Sequence, residues 1–222
     1  MSSAPDASAD SVVTGRAPAV ATRKRPKPGE RRVQILQVLA EMLQQPGAER
    51  VTTAALAARL AVSEAALYRH FASKAQMFEG LIEFIEHTVF ALLNQIVPPG
   101  DAAPAASADT GVRQAGRVVG VLLQFAEKNP GMARVMVGDA LVFENERLQQ
   151  RMNQFFDRVE STLRQCLRAA AQSAGSDTPT MDAQVRAAVL TAFVMGRLQR
   201  FTRSGFRRLP SEHLDASLAL ML

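Results

Sequence analysis

The chain of 222 residues has one cysteine, no tryptophan, one tyrosine and three histidines. One cysteine excludes a disulfide framework and any zinc site built on cysteine pairs. His70, His87 and His213 stand too far apart in sequence to give metal-ligand spacing. No run approaches the roughly 20 apolar residues that cross a bilayer. The first 22 residues lack a basic start followed by an apolar stretch, so they do not read as a secretory leader. They are rich in Ala, Ser, Asp and Pro without periodicity and read as disordered. Alternating strand patterns are nearly absent too. A Gly-rich phosphate loop, a nucleophile elbow and an HExxH pair are all missing, so no catalytic residues, metal or cofactor are expected. These absences together point to a cytoplasmic, non-enzymatic, all-α protein, its single thiol suited to a reducing compartment.

What the chain does have is concentrated charge. The net charge is +5, from 26 Lys and Arg against 21 Asp and Glu. Residues 23–32, RKRPKPGERR, hold six of the basic residues and one Glu, which leaves 20 of each sign elsewhere. The body is therefore neutral and carries a short cationic arm suited to an anionic partner such as DNA. Loss of the arm before Arg31 is expected to lower DNA affinity and flatten its salt dependence.

Helical periodicity runs through the rest. Ile35, Leu36, Leu39, Met42 and Leu43 share one face, and Pro46-Gly47 stops that helix. Short helices follow near Thr53–Leu60 and Glu64–Phe71. A long helix begins near Lys74, with a stripe from Phe78 through Ile85 to Ile96. Residues 97–112 read as a Pro/Ala/Asp-rich linker. Residues 113–127 are apolar almost all round, which predicts a buried helix. Asn129-Pro130 reads as a helix cap followed by a first-turn proline. Met152 to Ala170 carries another apolar stripe, in which Cys166 is a core residue. Residues 181–204 and about 212–222 form the last helices. They are the expected dimer face, two helices from each subunit making a four-helix bundle. Gly196 there would permit close helix approach. Arg197, Arg200, Arg203 and Arg207 form a basic ridge, more readily a solvated face than a second DNA surface.

The segment TTAALAARLAVSEAALYRHF, Thr52–Phe71, has helix-turn-helix spacing. Thr52 caps the first helix, Ala61-Val62 makes the turn, and Ser63 caps the recognition helix Glu64–His70. Ala65 and Ala66 are small enough for close groove approach. Tyr68 and His70 are phosphate donors, and Lys74 starts the next helix, where a cation and free N–H groups face an anion. Arg31, Thr52, Thr53, Ser63 and Glu64 make up one half of the candidate DNA-contact set. Ala65, Tyr68, Arg69, His70 and Lys74 make up the other.

The run ALYRHFASK, Ala66–Lys74, resembles the TetR family of bacterial one-component regulators. Val51–Glu86, Phe125–Gln165 and Arg200–Phe206 resemble the nucleoid occlusion factors of that family more closely. The resemblance implies an N-terminal three-helix DNA-binding unit (31–73) after a disordered basic arm (1–30), and a C-terminal helical regulatory and dimerisation bundle (74–222). It implies a homodimer on palindromic double-stranded DNA, associated with the nucleoid and possessing no membrane partner. It also implies that the DNA-bound form contacts the C-terminal tail of the division protein FtsZ and blocks ring assembly over the chromosome. On a helical wheel Phe84 lies about 120° off the long helix's buried stripe, near Met77 and Thr88. It is either an exposed anchor or packed on a neighbouring helix, and the resemblance favours the anchor. Lys128 and Asn129 would join it, although Asn129 also reads as a cap. Three departures stand out, the first being that the arm and the residues before it are longer than the family leads one to expect. Ala61 occupies a turn position usually held by Gly, at a strain of roughly 1 kcal/mol if left-handed, and the 97–112 linker is atypical. A ligand-responsive TetR-type repressor is the alternative, and a bare dimerising scaffold the remote third.

Overall fold

The computed structural model describes residues 29–45, 51–98 and 108–222. Most of the basic arm, Pro46-Gly47 and the tip of the expected linker lie outside these residues. The described residues are helical, with no strand among them. Helix α1 spans Glu30–Leu43, α2 Thr53–Arg59, α3 Glu64–Tyr68 and α4 Lys74–Ile96. Helix α5 spans Ala108–Lys128, α6 Pro130–Met136, α7 Glu146–Ser173, α8 Pro179–Arg203 and α9 Leu214–Met221. No described helix is long and apolar enough to cross a membrane.

Helices α1, α4 and α7 bury most of the stripe that their sequence predicts, although Leu92 of the α4 stripe is exposed. Ile35, Leu39, Ala40 and Leu43 face inward from α1. Phe78, Leu81, Ile82, Ile85, Val89, Leu93 and Ile96 do so from α4. Helix α7 turns Met152, Phe155, Val159, Leu163 and Cys166 onto α5 and α8. The resulting core is continuous from Ile35 to Phe201, so α1 to α3 and the C-terminal bundle share one interior. Helix α1 docks directly on α6. A Cβ at Gly131 would lie 2.0 Å from the Ala40 carbonyl oxygen, so only glycine permits this approach.

Several boundaries differ from the sequence reading. Helix α1 already includes Glu30, which was assigned to the arm. It ends at Leu43, capped by Gln44, ahead of Pro46. Helix α5 begins at Ala108, so residues 108–112 belong to a helix and not to a linker. Gly111 explains the difference: a Cβ there would sit 2.5 Å from the Cys166 carbonyl oxygen. The glycine marks tight α5–α7 packing at a position that the sequence reading places in the linker. Helix α5 is also amphipathic rather than apolar all round, because Arg113, Arg117 and Gln124 line one solvent strip. Helix α9 starts at Leu214, two residues late, after His213 in left-handed conformation.

Candidate nucleic-acid interface

Local chemistry builds the helix-turn-helix. Thr52 Oγ1 accepts from Ala55 N at 3.2 Å and starts α2; Ser63 Oγ accepts from Ala66 N at 3.3 Å and starts α3. Each satisfies a backbone donor that the helix cannot. Between them Ala61 adopts φ 53°, the left-handed turn that glycine usually supplies. Leu56, Ala57, Leu60, Leu67 and Phe71 are buried and hold the two helices together.

Helix α3 is shorter than expected. It ends at Tyr68, with Arg69 as its cap, so His70 lies beyond the helix. Thr52, Ser63, Glu64, Ala65, Tyr68, Arg69 and His70 are exposed, with Tyr68 at 46%. All but Thr52, the cap of α2, lie on α3, at its caps or just beyond it. Two expected contacts are committed elsewhere. Thr53 Oγ1 donates to Glu64 Oε2 at 2.6 Å, which ties α2 to α3. The Lys74 ammonium pairs with Glu144, in the turn before α7, and lies 5.6 Å from the Phe78 ring centroid. Lys74 is therefore not a free cation at the start of α4. That helix start is instead capped by Ser73, which accepts from Gln76 N at 3.2 Å. Arg31 donates to Gln34 of its own helix at 2.7 Å.

Sequence reasoning missed Arg32 altogether. Its Nη1 donates to the His70 carbonyl at 3.0 Å, and its Cζ lies 4.2 Å from the centroid of the Phe71 ring. Residues 38 apart make the contact, and no local pattern signals it.

The second candidate surface lies along α4 and α5. Phe84 is 47% exposed, whereas Met77 is fully buried and Thr88 half-buried, so the wheel placed Phe84 correctly and Met77 not. Gln114 Nε2 donates to the Ile96 carbonyl at 3.0 Å, which sets the start of α5 beside the end of α4. The antiparallel pair then carries Phe84 toward the Lys128 end of α5. A groove of about 290 Å³ runs between the two helices, lined by Leu92, Gln95, Ile96, Arg117, Gly120, Val121 and Gln124. Lys128 is exposed and Asn129 half-buried. Asn129 occupies the cap position of α6 but does not cap it with its side chain; its Nδ2 donates back to the Phe125 carbonyl at 2.8 Å. The amide thus adds a second donor at the end of α5, where the Asn129 backbone N–H also donates to the Phe125 and Ala126 carbonyls. Ion pairs brace α4 against α7. Arg151 grips Glu86 with two hydrogen bonds, at 2.7 and 3.2 Å, and Arg147 pairs with Glu79. The bond to Glu86 holds the Arg151 pKa above its ordinary value.

A family model of bacterial regulatory proteins of the tetR family matches residues 35–81. A model of the tetracyclin repressor-like C-terminal domain matches residues 109–222. The nucleoid occlusion factor SlmA of Vibrio cholerae is 49% identical over 192 residues, covering 86% of this chain and 93% of that protein. The chain belongs to the SlmA family of TetR-type proteins. The SlmA of Photobacterium profundum is 48% identical over 190 residues, 85% of this chain and 92% of its own. Among solved structures, the regulator FadR of Bacillus subtilis superposes with a TM-score of 0.63 at 15% identity, over 85% of this chain and 96% of its own. PfmR of Thermus thermophilus gives 0.62 at 18% identity, over 85% of this chain and 94% of its own. At these identities the two show a common TetR fold. The tetR-family match, residues 35–81, includes the segment where Tyr68 and its exposed neighbours lie.

Proposed function

We propose that this protein is a nucleoid occlusion factor. It binds palindromic DNA as a homodimer and, when DNA-bound, takes the C-terminal tail of FtsZ and blocks division-ring assembly over the chromosome. The observation that carries the reading is the 49% identity to a protein of that name over 93% of its length, which includes the C-terminal bundle as well as the DNA-binding unit. The DNA face comprises Thr52, Ser63, Ala65, Tyr68, Arg69 and His70. Arg31 and Glu64 stand beside it, and Thr53 supports it from α2. Lys74 joins only if DNA displaces Glu144. The tail docks along the α4–α5 groove, with Phe84 and Lys128 toward one end and Arg117 toward the other. Asn129 shapes the Lys128 end through its bond to Phe125. The protein would act in the cytoplasm, on the nucleoid.

The dimer reading is supported by α8. Met181, Val185, Val189 and Met195 are 63, 55, 49 and 44% exposed along one helix. Apolar side chains at such spacing are the usual mark of a face that a partner covers.

Co-sedimentation of FtsZ polymers tests the whole. The protein with DNA selected from a random pool should lower the pelleted FtsZ more than the protein alone. Unchanged FtsZ, together with DNA release by a small molecule, would favour the ligand-responsive repressor.

A further inference from the structure

By sequence Arg32 belongs to the cationic run, but its side chain turns toward the recognition helix. Its guanidinium donates to the carbonyl of His70, and its Cζ lies over the Phe71 ring, 4.2 Å from the centroid. Helix α3 has five residues. A helix so short does not hold its own geometry, because nucleation costs more than its few hydrogen bonds return. Its inner face is fixed by Leu67 against Leu56 and Leu60, all buried. At its other end the backbone N–H groups of His70 and Phe71 both donate to the Leu67 carbonyl, and the C-terminal carbonyls of a helix carry partial negative charge. Arg32 supplies a charged donor just past that end. It also covers the Phe71 ring, which is 1% exposed and fixed in the core. A planar fork does both at once; an ammonium, as a point charge, does not. Arg31 beside it spends a donor on Gln34 of its own helix.

We propose that Arg32 is a positioning residue for DNA recognition. It sets the orientation of α3 from its C-terminal end, and with it the groove approach of Ala65 and the exposed Arg69, through the carbonyl of residue 70 and the ring of residue 71. It does not neutralise a DNA phosphate. This rests on the DNA-binding reading above and adds a division of labour within the basic run: the residues before Gly29 supply charge, while Arg32 supplies geometry. Contacts to base edges depend steeply on angle, whereas phosphate contacts tolerate small shifts. Loss of Arg32 therefore costs selectivity more than general affinity.

The test uses the full-length wild type, Arg32→Lys and Arg32→Ala. Each is titrated, over a salt series, with a duplex that the wild type selects from a random pool and with a scrambled duplex of the same composition. Arg32→Ala should bind the selected duplex about tenfold more weakly and change on the scrambled one by less than about threefold. Arg32→Lys should keep the wild-type salt slope but lose part of the selected-to-scrambled ratio. Partial unfolding would weaken both duplexes alike, so the ratio isolates positioning from stability. An unchanged ratio in both variants overturns the proposal, as does a salt slope shallower by about one with equal loss on both duplexes, the signature of a phosphate contact. A wild type that selects no sequence from the pool overturns the DNA reading itself, and the inference with it.

Discussion

Thr53 Oγ1 donates to Glu64 Oε2 at 2.6 Å, across the turn that separates α2 from α3. Both residues were expected to face DNA; they face each other. The bond joins the start of one short helix to the start of the next and limits their relative rotation. Thr53→Val keeps the branched shape and removes the hydroxyl. It should cost about 1 kcal/mol or less in urea unfolding, because the pair is exposed to solvent. It should also weaken binding of the selected duplex. Unchanged DNA affinity would mean that packing alone fixes the two helices.

Features set by neighbours in the chain were readable from the sequence. The caps at Thr52 and Ser63, the left-handed Ala61 and the stripes of α4 and α7 each depend on residues within a few positions. Features set by distant neighbours were not. Lys74 and Glu144 are 70 residues apart, so the pair that occupies Lys74 has no sequence signature. Gly111 falls within the expected linker, and nothing near it in the chain signals that the Cys166 carbonyl stands against it. Asn129 had two helix ends within reach, and only the packed structure decides that its amide turns back to Phe125.

Cys166 is buried on α7, and burial pushes its thiol up to about 11. The folded pKa lies above the unfolded value, so the stability linked to this group is complete below the unfolded pKa, near 9.0. It is lost as pH rises from there toward 11, because the unfolded chain ionises first. The native protein should therefore resist a thiol reagent at pH 8 and react only on unfolding. Fast labelling of folded protein would place Cys166 in an open site.

The exposed apolar stripe of α8 gives a direct check of dimerisation. Val185 and Val189 are half exposed in the single chain, so charges there cost its fold little. Buried in a symmetric interface, each would meet its own copy or an apolar neighbour without a partner. Val185→Glu with Val189→Glu should convert the dimer to a folded monomer in sedimentation velocity. A dimer that survives both charges would move the interface off this face.

Arg23, Lys24, Arg25 and Lys27 stand ahead of the described residues and carry most of the excess charge. Removing residues 1–28 should lower DNA affinity and flatten its logarithmic salt dependence by up to about 3.6, at roughly 0.9 per cation that contacts phosphate. The fold, the dimer and tail binding should persist, since α1 begins at Glu30. An unchanged slope would make the arm a solubilising tail.

Phe84 offers a test that separates the two proposed binding functions. It is 47% exposed on α4, while the buried side of the same helix, including Phe78, Ile82 and Ile85, carries the fold. Truncating an aromatic at the centre of an interface commonly costs about 2 kcal/mol or more of binding. Truncating one that is half in water costs the fold far less. Phe84→Ala should therefore weaken binding of the FtsZ tail peptide by about thirtyfold, equivalent to about 2 kcal/mol, and leave the selected duplex bound as before. Measuring both affinities on one preparation removes any difference in active fraction. If both fall together, Phe84 supports the α4 scaffold that joins the two sites. If tail binding is unchanged, the tail docks away from Phe84, and the groove lined by Leu92, Arg117 and Val121 becomes the place to look, with Val121→Glu as the next substitution.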